Sequence, residues 1–372
     1  MPALCVAPGP CSTIARVKNW DVIVVGAGVI GLALARRLRA DKLKVLVVER
    51  AEPASESTYA AGGMIAHCDP HIPAVLQPLV AASAGMYPDF VEEIEDESGE
   101  PADLRDAGTI MWFEPGLHPR CPGAMSMSGE EIGRIEPLVR PLGGGWLLPE
   151  RSVDPRALGR ALTKSARQRA VDFVTGSTVQ EVLTTAGRAA GVRTTHASYV
   201  AGTVVNCAGA WATQILPGLV PTRPVKGQMV CLIPAVSEPN EKPLIRHVLR
   251  TPGVYVIPRT DGRILLGATV EDAGFDKRVD SEIIKKLHNA ALAVAPALSS
   301  MRIHDAWAGL RPASPDNLPI LGETSLPGYF AATGHYRDGI MLAPVTAVVM
   351  FQLIGGSVPD LDLQAFSPLR FG

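Results

Sequence analysis

The stretch from Asp21 to Glu49 constrains the fold more than any other part of the chain. Asp21-Val-Ile-Val-Val25 is a short β-branched run that reads as a buried parallel strand. It leads directly into Gly26-Ala-Gly28-Val-Ile-Gly31. Leu32-Ala-Leu-Ala-Arg-Arg-Leu38 then continues at helical spacing, with Arg36, Arg37 and Arg39 expected in solvent. A second β-rich run, Lys44-Val-Leu-Val-Val48, ends in Glu49 and completes a β-α-β unit. The glycines have separate tasks in such a unit. Gly26 permits the tight turn, Gly28 lets backbone approach a pyrophosphate, and Gly31 lets helix and strand pack closely. The helix N-terminus at Val29 and Ile30 then faces the phosphates. Glu49, 18 residues after Gly31, is spaced to accept hydrogen bonds from a ribose hydroxyl. A bound dinucleotide is the expectation.

An acid at Glu49 suits the adenosine ribose of NAD and FAD alike, so the choice rests on later segments. Ser57-Thr-Tyr-Ala-Ala-Gly-Gly-Met64 places hydroxyls and then small residues just beyond the second strand. Such a loop can meet phosphates and let a flat ring lie against backbone. Near the C-terminus, Ala331-Ala-Thr-Gly-His-Tyr-Arg-Asp-Gly339 leads into an apolar helix expected over 339–354, with Pro344 in its first turn. A helix start beside glycines offers N–H groups and a positive dipole end to a reduced flavin, which carries negative charge near its pyrimidine carbonyl. A nicotinamide needs no such site. FAD is favoured.

Composition narrows the function classes. The 372 residues carry 35 Lys+Arg against 37 Asp+Glu, and the net charge of −2 speaks against nucleic acid as a partner. With 47% hydrophobic residues the chain can bury a large core, and its length suggests two domains. Six cysteines, at 5, 11, 68, 121, 207 and 231, form no CxxC pair and read as neither a disulfide framework nor a zinc ribbon. The longest apolar stretch, 339–354, falls short of a membrane span. A soluble, cytoplasmic protein with a loose extension over 1–17 is expected. Further helices are expected over 76–97 (interrupted by Pro78 and Pro88), 155–170 and 281–292. Strands are expected over 178–183, 189–195 and 203–207, and an antiparallel sheet from 225–233, 254–258 and 263–270. Residues 101–149 read as short strands among Pro/Gly-rich loops.

Several segments together resemble the flavoprotein family of D-amino-acid oxidase, glycine oxidase and sarcosine oxidase. They are Gly26 to Gly31, Ala60-Ala-Gly-Gly-Met64, Val205-Asn-Cys-Ala-Gly-Ala-Trp211, Pro224-Val-Lys-Gly-Gln228, Trp307-Ala-Gly-Leu-Arg-Pro312 and Gly334-His-Tyr-Arg-Asp-Gly339. The last two most resemble the glycine oxidases associated with thiamine biosynthesis. The resemblance implies FAD in an extended conformation, lined by Val29, Ile30, Glu49, Arg50, Ser57, Thr58, Gly62, Gly63, Met64 and Gly209. It further implies that Val179 meets the adenine through its backbone and that His335, Tyr336, Arg337, Asp338, Gly339, Ile340 and Met341 wrap the flavin. Arg311 matches the arginine that pairs with the substrate carboxylate, Tyr255 a tyrosine bonded to the same group, and Arg337 a second arginine at the site. Gly253 stands where related glycine oxidases carry histidine, and Val270 where they often carry methionine, so the pocket wall differs. The last cysteine is Cys231, and a non-covalent FAD follows.

The residues themselves point the same way. Arg311 sits between Trp307-Ala-Gly-Leu310 and Pro312, an apolar setting in which a guanidinium needs an anion; a bidentate carboxylate fits its planar fork, and an ion pair to Asp305 or Asp316 is the competing reading. Tyr255 alternates with Val254 and Val256 and so points away from them. His67-Cys68-Asp69-Pro70-His71 has the look of a metal cluster but lacks a fourth ligand, so no metal is expected. The acidic run 92–100 reads as a solvated helix end, and Cys207 as a small apolar residue. The expected architecture is α/β: a doubly wound, Rossmann-like FAD domain (18–85, 150–215 and 306–372) interleaved with an α+β substrate domain on an antiparallel sheet (86–149 and 216–305). The expected reaction is oxidative deamination of a small amino acid or N-methyl amine with molecular oxygen as acceptor. A dehydrogenase passing electrons to a quinone or carrier, a flavin module for tRNA modification, and an FAD-binding protein without turnover are the alternatives. A homo-oligomer is left open.

Overall fold

The computed structural model describes residues 19–113, 116–235 and 243–372; the extension expected over 1–17 lies outside them. The β-α-β unit is β1 (Asn19–Val25), α1 (Val29–Ala40) and β2 (Val45–Val48). β1 pairs in parallel with β2 on one side and with Ser198–Asn206 on the other. Asp172–Val174 adds beyond β2 and Tyr329–Thr333 beyond Ser198–Asn206, both parallel. Ile320–Glu323 closes one edge, and a hairpin of Val179–Thr185 and Arg188–Thr194 joins Ser198–Asn206. Strand order therefore reverses at β1, which places a crevice at its carboxyl end.

The β-branched run follows from burial on both faces. Val22 and Val24 point into a core shared with α1, Gln77–Ser98, Pro155–Gln168 and Ala343–Ile354, while Ile23 and Val25 point into a second core under the hairpin. Each such side chain contributes about 1.5–3 kcal/mol by leaving water. Pro155–Gln168 opens on Asp154, whose Oδ1 accepts from the Arg156 N–H at 2.9 Å.

Two helical expectations are corrected. Gln77–Ser98 is unbroken, because Pro78 occupies the first turn, where no N–H is needed, and Pro88 is absorbed within the helix. Arg36, expected in solvent, is buried: its Nε donates to Glu97 at 2.8 Å and to Ser165 at 2.8 Å, and Nη2 reaches Glu93 at 3.0 Å. Glu97 in turn pairs with Arg169, so this part of the acidic run is an internal tie rather than a solvated end.

The second sheet runs Met301–Ala313, Arg223–Pro234, Ile264–Gly267, Tyr255–Pro258, Val248–Arg250, Thr109–Met111, Gly145–Leu148, Met125–Met127. It is antiparallel except for the parallel pair of Val248–Arg250 with Thr109–Met111. The Pro/Gly-rich region 101–149 thus supplies a whole end of the sheet. The boundary expected at 306 falls inside Met301–Ala313, so the chain passes between the layers within one strand. Ser281–Val294 covers one face through Ile284, Leu287 and Ala291. Cys68 and Cys121 form a disulfide, which the reading of the six cysteines as no framework did not anticipate; their separation of 53 residues leaves no local signature. No helix among the described residues is long and apolar enough to cross a membrane.

Candidate active site

A cavity of about 640 Å³ runs from the carboxyl end of β1 to the face of the second sheet. Every residue expected to meet the cofactor or substrate lines it except Gly31 and Met341. Gly31 acts by packing: a Cβ there would collide with the Gly26 carbonyl. Met341 is buried among the helices, and its carbonyl accepts from Ser83 Oγ at 2.7 Å. Tyr87 Oη donates to the Ile340 carbonyl at 2.9 Å, so the end of the loop 335–341 is pinned from behind by two hydroxyls.

At one end the walls are backbone. Gly26 has φ +104°, and a Cβ there would stand 2.6 Å from the Cys207 carbonyl oxygen, so no other residue fits. Thr58 Oγ1 accepts from the Val29 N–H at 2.9 Å. The N-cap of helix α1 is Gly28, which has no side chain to cap it, and no acid stands in the first turn, so apart from the bond to Thr58 the positive end is left for an anion. Glu49 holds the turn, with Oε2 accepting from Ala27 N–H at 2.7 Å and Oε1 from Ala51 N–H at 2.9 Å. Arg50 stacks over the Trp211 ring at 3.5 Å and pairs with Glu56 at 2.5 Å. Arg259, fully buried and unmarked in the sequence, donates to the Gly62 carbonyl at 2.6 Å and the Val153 carbonyl at 2.9 Å, fixing the glycine pair. An open helix end, a cradle without Cβ atoms and a long cavity fit a dinucleotide carrying a flat ring.

The other end holds the charged groups. Arg311 Nη1 donates to the Lys226 carbonyl at 3.2 Å and the Thr269 carbonyl at 3.0 Å. No acidic side chain pairs with it among the described residues. Of the two acids that competed for it, Asp305 lies 3.9 Å from Arg156, and Asp316 binds Arg370 at 2.8 Å. Gly227 makes the room, since a Cβ there would overlap the guanidinium. The Tyr255 hydroxyl lies beside Arg311; burial pushes its pKa up against the lowering pull of that arginine. Arg337 is exposed at the cavity wall, 5.2 Å from the Tyr336 ring. Tyr336 sits at φ +48°, held by its N–H to the Pro312 carbonyl at 2.8 Å. His335 is buried against Thr346 Oγ1 at 3.0 Å, and burial brings its pKa down to about 3, so the imidazole stays neutral.

Sequence reasoning missed an ionic group on this wall. Arg250 pairs with Asp69 and lies 3.7 Å from Glu150. Asp69 Oδ1 also accepts from the His71 N–H at 2.9 Å. Within the His67–His71 cluster, Cys68 is taken up by the disulfide and Asp69 by the ion pair. Asp338 lines the same wall. Burial and the neighbouring Asp69 push its carboxyl up to about 7, against the pull of Arg337 and Arg250. Gly253 and Val270, the two departures noted above, both line the cavity.

A family described as FAD dependent oxidoreductase matches residues 21–353. The chain is 35% identical over 357 residues to the bifunctional protein ThiO/ThiG of Synechocystis sp., covering 94% of this chain and 54% of that protein. It therefore spans about half the length of its bifunctional relatives. It is 32% identical over 370 residues to a glycine oxidase of Pseudomonas aeruginosa, covering 93% of this chain and 98% of that one. The crystal structure of glycine oxidase from Geobacillus kaustophilus superposes with a TM-score of 0.86 at 28% identity, covering 94% of this chain and 98% of that one.

Proposed function

The chain belongs to the FAD-dependent oxidoreductase family, and on that footing we propose that it oxidises the C–N bond of a small amino acid or N-methyl amine, with molecular oxygen as acceptor. Glycine, sarcosine and small D-amino acids are the substrates in view. The products are hydrogen peroxide, a 2-oxo acid and ammonia or an amine. The observation that carries this reading is Arg311: a guanidinium on the cavity wall, aimed by the Lys226 and Thr269 carbonyls and without an acidic partner among the described residues. Its unused N–H donors suit a carboxylate.

FAD, when bound, supplies the acceptor for the hydride that leaves Cα. Gly26, Gly28, Val29, Ile30, Thr58, Glu49, Gly62 and Gly63 would hold it, with the loop 335–340 against its ring. Arg311 and Tyr255 fix the carboxylate, Arg337 adds positive charge, and one held end limits the orientations open to Cα. Neutral His335 keeps a second charge out of the site. Cys231 lies in a strand outside the cavity lining, and Cys207, which does line it beside the Gly26 turn, is held as an unreactive thiol by burial that raises its pKa; both support a non-covalent cofactor.

Anaerobic bleaching of the flavin by glycine, sarcosine, D-alanine, D-proline and larger D-amino acids tests the reading. One of them bleaches it, and Arg311→Ala weakens the apparent affinity for that substrate by roughly 2–5 kcal/mol, the cost of truncating one partner of a buried charge pair. An unchanged affinity means the clamp is misassigned. Peroxide release with and without an artificial acceptor decides between oxygen and a carrier.

A further inference from the structure

The proposed clamp accounts for one end of an amino acid and leaves the other unassigned. An α-amino acid near neutral pH carries an ammonium group two bonds from its carboxylate carbon, and a cation in a half-closed cavity needs a counter-charge. Two carboxylates of the cavity wall act on each other, with Arg337 and Arg250 beside them: Asp69 and Asp338. Asp69 is committed, since Oδ1 faces the His71 N–H at 2.9 Å and the ring nitrogen Nδ1 at 2.8 Å, while Oδ2 is bound by Arg250. The Asp338 carboxylate has no hydrogen-bond or ion-pair partner among the described residues. Its backbone is nonetheless fixed on both sides: its N–H donates to the His335 carbonyl at 2.8 Å, and its carbonyl accepts from the Leu342 N–H at 2.8 Å. Arg337 and Arg250 act on both the Asp338 carboxyl and the Tyr255 hydroxyl, and Tyr255 lies beside Arg311, so this carboxylate without a partner and the clamp belong to the same end of the cavity. An acid beside the clamp suits the second charge of a zwitterion.

Building on the carboxylate clamp, we propose that Asp338 receives the substrate's amino group, pairs with its ammonium form and takes one proton from it. One N–H bond breaks and one O–H bond forms; the electron pair stays on nitrogen, so ammonium and carboxylate become amine and carboxylic acid. The oxidation needs that lone pair, because it develops into the C=N bond as hydride leaves Cα. The groups facing Asp338 set its proton affinity. Asp69 opposes its ionisation, while Arg337 on its own loop and Arg250 on the sheet favour it; His71 and Tyr255 complete the ionisable lining around them. With burial added, the balance places the carboxyl near neutrality. That is where a group exchanging protons with an amine works best.

The test compares wild-type holoenzyme with Asp338→Asn and Asp338→Ala on two readouts. The first is kcat/KM against pH for the best amine substrate. At pH 7 both variants fall by about 10²-fold or more, the usual contribution of a positioned base, and recover as pH rises toward the substrate's own ammonium pKa. The second is binding of glycolate, which keeps the carboxylate and lacks the amine, read from the flavin absorbance. It stays within about twofold of wild type in both variants, because the hydroxyl needs no base. A pH profile in Asp338→Asn that overlays wild type overturns the proposal. So does an equal loss of glycolate and amine binding, which marks a structural role. Glycolate binding that is insensitive to Arg311→Ala is a separate result and counts against the carboxylate clamp alone.

Discussion

Gly227→Ala separates the geometry of the carboxylate clamp from the stability of the fold. Gly227 lies in Arg223–Pro234, paired with Gly309 across to Met301–Ala313. Its φ is outside the left-handed region, so alanine meets no backbone strain there. Replacing glycine in a strand at a compatible conformation gains about 0.4–1 kcal/mol through the unfolded chain. The new methyl, however, would stand 2.6 Å from Arg311 Cζ. Carbon atoms settle at about 3.5–4.0 Å, so the guanidinium must retreat by about 1 Å. That retreat strains the bonds from Nη1 to the Lys226 and Thr269 carbonyls, which aim the group. A misplacement of about 1 Å costs about 10²-fold, or roughly 2.7 kcal/mol. The assay is a glycolate titration followed by flavin absorbance, with the thermal midpoint measured alongside. The expected outcome is a midpoint near that of wild type with affinity lowered about 10²-fold. Glycolate binding within about twofold of wild type, with FAD retained, would refute the clamp geometry.

The Cys68–Cys121 disulfide closes a loop of 53 residues, for which the chain-entropy relation gives about 4 kcal/mol. Urea unfolding of Cys121→Ala should therefore show a clearly lower midpoint than wild type, and coincident curves would remove the bond from the stability account. Glu97 makes a second case. Burial raises its carboxyl, but bonds from Arg169, Arg36 and Ser165 outweigh this and lower it to about 2. A depressed folded pKa means stability present above about pH 4.5 and lost as pH falls toward 2. The thermal midpoints of wild type and Glu97→Gln should converge over that window, and a gap that is constant with pH contradicts the assignment.

What could be read from the chain was what neighbouring residues encode among themselves. The strand at Val22–Val25, the glycine turn and α1 depend on periodicity and on backbone freedom within a few positions, and they stand where expected. Tyr255 was legible for the same reason: alternation with Val254 and Val256, both in the core, turns it toward the cavity. Arg36 was misjudged because Glu93, Glu97 and Ser165 lie 57 to 129 residues away, and no local pattern announces such partners. The strands within 101–149 are short, and their neighbours come from both near and distant sequence, so their Pro and Gly content dominated the reading. Arg250, Asp69 and Asp338 meet only after three separate segments converge, so no local pattern in the sequence marks this ionic wall.

The same convergence ties the cofactor loop to the clamp. Ser57 Oγ donates to the Leu310 carbonyl at 2.6 Å, and Trp307 Nε1 donates to the Ala60 carbonyl at 3.1 Å. Gly309 has no Cβ because the Ala60 side chain occupies that space. The segment 57–63, which would carry the flavin, thus lies against the residues just before Arg311 with no intervening layer. Interiors packed at this density transmit displacement rather than absorb it. A shift of that loop when cofactor leaves is passed to the guanidinium through Leu310, and a shift of the guanidinium is passed back. Titration of FAD with and without glycolate is therefore expected to show each ligand tightening the other through one strand, Met301–Ala313, by the same factor, since a coupling free energy is shared by both sites; equal FAD affinity in the two titrations refutes the link.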